Sequence, residues 1–292
     1  MHPAPSIIAF TTLSGLGFGL LVFLGLGLPM VSGITAFWFY LIAFVLSVSG
    51  LLSSLGHLGN PQRAWKAFSQ WRTSWLSREG VLAVATLGVM GSFALGRVFE
   101  LYYLPWLGWI GATLSFVTVF ATSMIYAQLK TVPRWNHWTT PVQFMLFAMS
   151  GGALLGGQMN TGAGLATISA AFQILNWYMG DTRFKDRGHT QETATGLGDM
   201  GSVQMFEPPH TGTNYLLKEM VHQIGRKHSQ KLRRIGVGLA ILPLFLLVTP
   251  FSHALAGGLV LVHIAGVVVI RWLFFAEAEH VVGLYYGAHS RG

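Results

Sequence analysis

The chain has 292 residues, 52% of them hydrophobic and only 10% charged, with a mean hydropathy of +0.53. A soluble domain carries about 25% charged residues, so this composition describes a membrane protein. Cysteine is absent, which excludes a disulfide, a thiolate zinc site and an iron-sulfur cluster ligated by this chain, so any metal centre belongs to a partner or is held by His. The net charge of +8 would suggest nucleic acid in a soluble chain; here it is read as setting orientation in a lipid membrane, with no nucleic-acid partner.

The N-terminus, "MHPAPSIIAF", lacks a basic leader region and reads as an uncleaved first span. A span takes roughly 20 mainly apolar residues, and about eight candidates follow in order. They are 7–28, 36–55, 79–98, 107–129, 140–159, 162–177, 235–249 and 254–275, the sixth and seventh being short. A backbone in lipid must satisfy its own hydrogen bonds, so these runs are helices. In the first, "GLGFG" contains the pair Gly15 and Gly19, a spacing that permits close helix packing; no strand precedes it, as a nucleotide loop would require. The expected fold is an all-α integral membrane protein of about eight transmembrane helices, one polytopic domain over 1–292, with short interfacial helices on the cytoplasmic side.

Of the eighteen Lys/Arg residues, all but Arg97 fall on the side shared by both termini. They follow spans two (Arg63, Lys66, Arg72, Arg78), four (Lys130, Arg134) and six (nine residues from Arg183 to Arg234), or accompany the end of span eight (Arg271, Arg291). The positive-inside rule places that side in the cytoplasm, as expected for the inner membrane of a bacterium.

After span two, Asn60 and Pro61 form an N-cap and N1 pair. Trp65, Phe68, Trp71 and Trp75 then recur at near-helical spacing, describing a short helix in the headgroup layer, where Trp and Lys/Arg are favourable irrespective of chemistry. Ser77 reads as the N-cap of span three, with Glu79 in its first turn. Spans two and three therefore deliver His57 and Glu79 to one membrane boundary. His57 can serve as a polar cap and Glu79 as a partner of the helix dipole. Together they also offer what quinone reduction needs, a hydrogen-bond donor for a carbonyl oxygen and a carboxyl that relays protons.

Span eight ends in "RWLFFAEAEH", bringing Arg271, Glu277, Glu279 and His280 to the same boundary, either as a wet helix end with Arg271 snorkelling or as a proton path. His263, in mid-span, is more naturally a buried hydrogen-bonded residue than a haem ligand. The stretch 180–234 reads as a long cytoplasmic loop that covers a partner. Within it, Leu216, Leu217, Met220, Val221 and Ile224 share a helical face, as a docking surface or a solvated connector.

Three segments, "HLGNPQRAWKAFSQWRTSWLSRE", "MIYAQLKTVPRWNHWTTP" and "SIIAFTTLSGLGFGL", resemble the membrane-anchor subunit family of DMSO reductase-type molybdoenzymes. The resemblance implies an eight-helix, haem-free anchor with a four-cluster, ferredoxin-like iron-sulfur subunit and a molybdopterin catalytic subunit as partners. It implies a quinone, ubiquinone or menaquinone, at a site holding His57 and Glu79. Arg63, Arg78, Arg271 and Glu277 are expected around that site, and Lys66, Arg72, Arg183 and Lys185 at the partner's docking surface. The charge distribution points to the branch resembling the anchors of cytoplasm-facing sulfite dehydrogenases, with a quinol-oxidising anchor as the alternative. A secondary transporter would show repeated halves with broken helices, which the sequence lacks; a purely structural anchor is the remaining alternative.

Overall fold

Every regular element in the described part of the computed structural model is helical. The described residues are 1–57, 60–204, 206, 207, 212, 214, 216–220, 228–247 and 252–286, with backbone alone for His57, Pro61, Leu217 and Glu219. In chain order the helices are α1 (Pro5–Gly25), α2 (Gly33–Ser53), α3 (Trp75–Val98), α4 (Pro105–Ala127), α5 (Thr139–Leu155) and α6 (Met159–Gly180). The short α7 (Arg183–Asp186) and α8 (Gln191–Thr195) follow, then α9 (Ser229–Ile241) and α10 (His253–Ala276).

Five helices, α1 to α4 and α10, are long and apolar enough to cross a membrane; α5 is apolar but has 17 residues. The expected seventh span divides into α9 and a 3-10 segment, Leu242–Leu247. Pro243 explains the division, since proline cannot donate to the α-helical ladder, while Leu242 before it keeps helical backbone.

Helix α1 is apolar on all sides and buried continuously from Leu16 to Gly25, as befits a central helix. It packs against α2, α4, α5 and α10. Between apolar helices in lipid the gain comes from close contact rather than from expelling water, so small residues mark the seams. A Cβ at Gly19 would overlap the Ala148 carbonyl of α5, and one at Gly152 would overlap the Gly19 backbone. Gly17, between the members of the expected pair, faces α2 at Ala43 and Ser47.

Loops and helix ends separate into two groups. At one end Met1 donates its amino group to the Ala278 carbonyl (2.7 Å), and the Val281 amide donates to Thr131 (2.9 Å). At the other, Arg97 donates through Nε and Nη2 to the Val31 carbonyl at 2.9 and 2.5 Å, with its guanidinium 4.6 Å from the Tyr103 ring. The cation that stood alone in the sequence thus seals the opposite end of the bundle. Arg226, Lys227 and Arg291 lie outside the described residues.

The interfacial segment after α2 is a 3-10 helix, Pro61–Gln70. With three residues per turn, Trp65, Phe68 and Trp71 align along one exposed face. The start of α3 requires a correction. The helix begins at Trp75, after Ser74, so Glu79 sits in the second turn; Ser77 is buried and its hydroxyl has no partner among the described residues. The long loop folds back onto the C-terminal 3-10 helix Val281–Tyr286, with Gln191 donating to the Leu284 carbonyl (3.3 Å) and the Tyr285 hydroxyl to Ala194. Of the expected amphipathic face, Leu216–Met220 forms a π-helical turn, whereas Val221 and Ile224 lie outside the described residues.

Candidate functional site

Glu79 is 3% exposed and turned into the bundle. Thr122 of α4 donates its hydroxyl to Glu79 Oε1 at 2.5 Å, and no other hydrogen bond reaches this carboxyl among the described residues. The contact follows from two periodicities. Thr118 and Thr122, four apart, share a face of α4; Glu79 and Thr86, seven apart, share a face of α3. The second rung of the seam is Thr86 against Thr118, at 3.0 Å. His57 closes the 3-10 turn Ser54–His57 that extends α2, at the same end of the bundle; its side chain lies outside the described part.

A second buried ionisable group lies on α10. Arg271 is 2% exposed, with its guanidinium carbon 3.6 Å from the centre of the Phe144 ring and 6.0 Å from that of Phe147. This corrects the expectation of a snorkelling residue at a wet helix end: α10 continues to Ala276, so Arg271 lies more than a turn inside. Tyr126 stands one turn from Thr122 on α4, and its ring is 5.6 Å from the Phe144 ring that the Arg271 guanidinium faces. Around Tyr126 stands an aromatic cluster in which Trp135 stacks on Phe274 at 5.2 Å and donates Nε1 to the Phe274 carbonyl at 2.9 Å. The second resembling segment thus has a structural task, as Thr140 donates to the Trp135 carbonyl (2.8 Å) and Asn136 to that of Ala127 (2.7 Å).

Other expected site residues lie elsewhere. Glu277 accepts from Arg233 Nε at 2.6 Å and from Arg134 Nη1 at 3.4 Å, and both arginines also pair with Asp181. Burial pushes the Asp181 carboxyl up, but hydrogen bonds from Arg233 and Arg134 outweigh it and hold the group down at about 2. This network ties α6, α9 and α10 to the α4–α5 loop. Arg78 donates to the carbonyls of Trp71 (3.0 Å) and Arg72 (2.7 Å), joining the interfacial helix to α3. Arg183, expected at a docking surface, is 8% exposed; it donates to the Arg134 carbonyl (3.0 Å) and to the Thr139 hydroxyl (3.1 Å), so packing of the loop against α5 has removed it from the surface. Arg63, Lys66, Arg72 and Lys185 are exposed.

His263 is fully buried, with Nδ1 2.7 Å from the Ala240 carbonyl and Nε2 3.2 Å from the Ser150 hydroxyl. Nδ1 must donate to the carbonyl, which leaves Nε2 to accept from Ser150. Both nitrogens are thus engaged in joining α5, α9 and α10. Among the described residues no group of three His, Asp or Glu side chains gathers as a metal site.

Sequence reasoning missed Thr122 and Tyr126. The four-residue Thr spacing was visible, but only the packing of α4 on α3 shows that it faces a carboxyl.

The fold and site define a multi-pass helical membrane protein that carries buried polar groups near one end of the bundle. The chain belongs to the family described as DMSO reductase anchor subunit (DmsC), whose model matches residues 1–178. It is 29% identical to the C subunit of the sulfite dehydrogenase of Allochromatium vinosum, over 98% of this chain and 99% of that protein. It is 31% identical to the C subunit of the anaerobic dimethyl sulfoxide reductase of Escherichia coli K12, over 39% of this chain and 40% of that one.

Proposed function

We propose that this chain is the quinone-reactive membrane anchor of a molybdopterin and iron-sulfur oxidoreductase, passing electrons from sulfite oxidation into quinone. The observation that carries the reading is the buried Glu79 carboxyl, held by Thr122 at the end of the bundle where the basic loops gather. Quinone reduction takes up two electrons and two protons. The electrons come from the iron-sulfur partner; the protons must cross from water to ring oxygens inside the protein. A carboxyl one turn beneath the helix end is placed to carry them, with His57 as donor to one carbonyl oxygen.

In this reading the bundle completes eight spans, with α5, α6 and the α9 segment as the fifth to seventh. Both termini and the loop 180–234 face the cytoplasm, as does the interfacial helix, because that side carries all the Lys/Arg except Arg97. Exposed Arg63, Lys66, Arg72 and Lys185 meet the iron-sulfur subunit there. The similarity to the sulfite dehydrogenase relative over nearly the whole of both chains favours electron flow into quinone. The shorter match to the dimethyl sulfoxide reductase relative supports the reverse flow as the second reading.

The test compares His57→Ala and Glu79→Gln complexes in two assays, sulfite-driven reduction of a membrane quinone and of a soluble acceptor that bypasses the membrane. Loss of the first with retention of the second is the expected result. Full quinone-linked turnover in both variants overturns the assignment, and quinol-driven reduction without sulfite oxidation selects the reverse flow.

A further inference from the structure

Arginine keeps its proton in proteins, and its planar guanidinium carries five N–H donors. Ionisable side chains buried within a membrane bundle pair with one another or with backbone carbonyls. Among the described residues Arg271 does neither: its Nε and Nη1 are buried without an acceptor there, and it forms no ion pair. The buried carboxyls at this end of the bundle are occupied, Glu277 by Arg233 and Arg134 and Glu79 by Thr122. The Phe144 ring 3.6 Å away faces the charge but supplies none of the oxygen acceptors that the N–H groups require.

We propose that Arg271 is a ligand-binding residue whose Nε and Nη1 donate to a carbonyl oxygen of the quinone that Glu79 serves. The proposal rests on the quinone reading above and adds a second anchoring point on another helix. The missing partner must be an oxygen acceptor able to enter a bundle within lipid. It must also be flat and apolar enough to lie against the packed aromatic cluster of Phe144, Tyr126, Phe274 and Trp135. A quinone ring meets each condition, since its oxygens accept and its faces are apolar. Tyr126, one turn from the Glu79 partner Thr122 on α4 and 5.6 Å from the Phe144 ring that faces the guanidinium, connects the two polar groups along one aromatic wall. An arginine held this way fixes the orientation of the ring, so that one oxygen meets the guanidinium and the other the His57 and Glu79 side.

The probe is 1,4-naphthoquinone labelled with carbon-13 at its carbonyl positions, bound to the intact complex and followed by redox-difference infrared spectroscopy. The wild-type complex should show a carbonyl band lowered by hydrogen bonding from the guanidinium. Arg271→Met should return that band to the frequency of free quinone, leave the band assigned to the His57 side in place, and raise the KM for quinone about tenfold. Turnover with the soluble acceptor should not change. Because the variant removes a buried charge that none of the described residues compensates, its thermal midpoint should hold or rise. Arg271→Lys should recover part of the band shift. Unaltered carbonyl bands with a lowered thermal midpoint would identify Arg271 as a packing residue and overturn the proposal. Failure of both Arg271→Met and Arg271→Gln to accumulate in the membrane overturns it too, since a guanidinium kept for a ligand is not needed for folding. Absence of any bound-quinone band in the wild-type complex removes the quinone reading itself, which is a distinguishable result.

Discussion

Thr122 meets Glu79 Oε1 at 2.5 Å across the α3–α4 interface, and it is the carboxyl's one hydrogen-bond partner among the described residues. Replacing Thr122 with Val keeps the shape and removes the donor. A buried acceptor left unpaired costs about 1 to 3 kcal/mol. The variant should therefore lower the thermal midpoint of the anchor and reduce quinone-linked turnover about tenfold, the equivalent of roughly 1.4 kcal/mol in barrier. Turnover with a soluble acceptor should be unchanged. Wild-type rates in the quinone assay would separate Thr122 from proton delivery.

The ionic network at the same end makes a pH prediction through Asp181. Its carboxyl titrates near 2 in the folded chain against 3.8 for an unperturbed aspartate, because hydrogen bonds from Arg233 and Arg134 outweigh burial. A carboxyl lowered on folding contributes stability that is complete above 3.8 and is lost as the pH falls towards 2. The difference in thermal midpoint between wild type and Asp181→Asn should stay constant from pH 7 to about 4 and close below that. A difference that already narrows between pH 7 and 5 would contradict the assignment to Asp181.

Glu277→Gln should separate structure from chemistry. It leaves Arg233 and Arg134 partly buried with one counter-charge fewer. Breaking a buried pair in this way costs on the order of 3 kcal/mol, less for the exposure that remains here. Assembled variant should retain quinone-linked turnover with a lowered thermal midpoint. Loss of turnover at unchanged stability would return Glu277 to the proton path expected from sequence.

His263→Phe should leave the optical spectrum of the complex unaltered, since both imidazole nitrogens are engaged by Ala240 and Ser150. A b-type absorption band in the reduced-minus-oxidised spectrum of the wild type, lost in this variant, would contradict that role.

The spans were legible because twenty apolar residues in lipid have few alternatives to a helix, and α1 to α4 and α10 lie within a few residues of their expected limits. Local detail was less legible. Ser77 has the residue type of an N-cap, yet Ser74 holds that position, and the three-residue shift moves Glu79 out of the first turn. The spacing of Trp65, Phe68 and Trp71 suits an α-helix and a 3-10 helix alike. For Arg183 and Arg271, charge argues for exposure, yet both are buried. Their burial depends on the α4–α5 loop and on the Phe144 ring, which are distant in sequence. Glu79 was found from its place between spans, whereas its partner Thr122 became visible only through the packing of α3 on α4.

A quinone bound beside Glu79, at the end of the bundle opposite Arg97, is the central claim. The most direct measurement is photolabelling of the intact complex with an azido-naphthoquinone, followed by mapping of the modified peptides by mass spectrometry. Label is predicted on the segments around Glu79 and Tyr126, reduced in Glu79→Gln and displaced by unlabelled quinone. Displaceable label confined to the segment from Arg97 to Trp109, with none near Glu79, would contradict it.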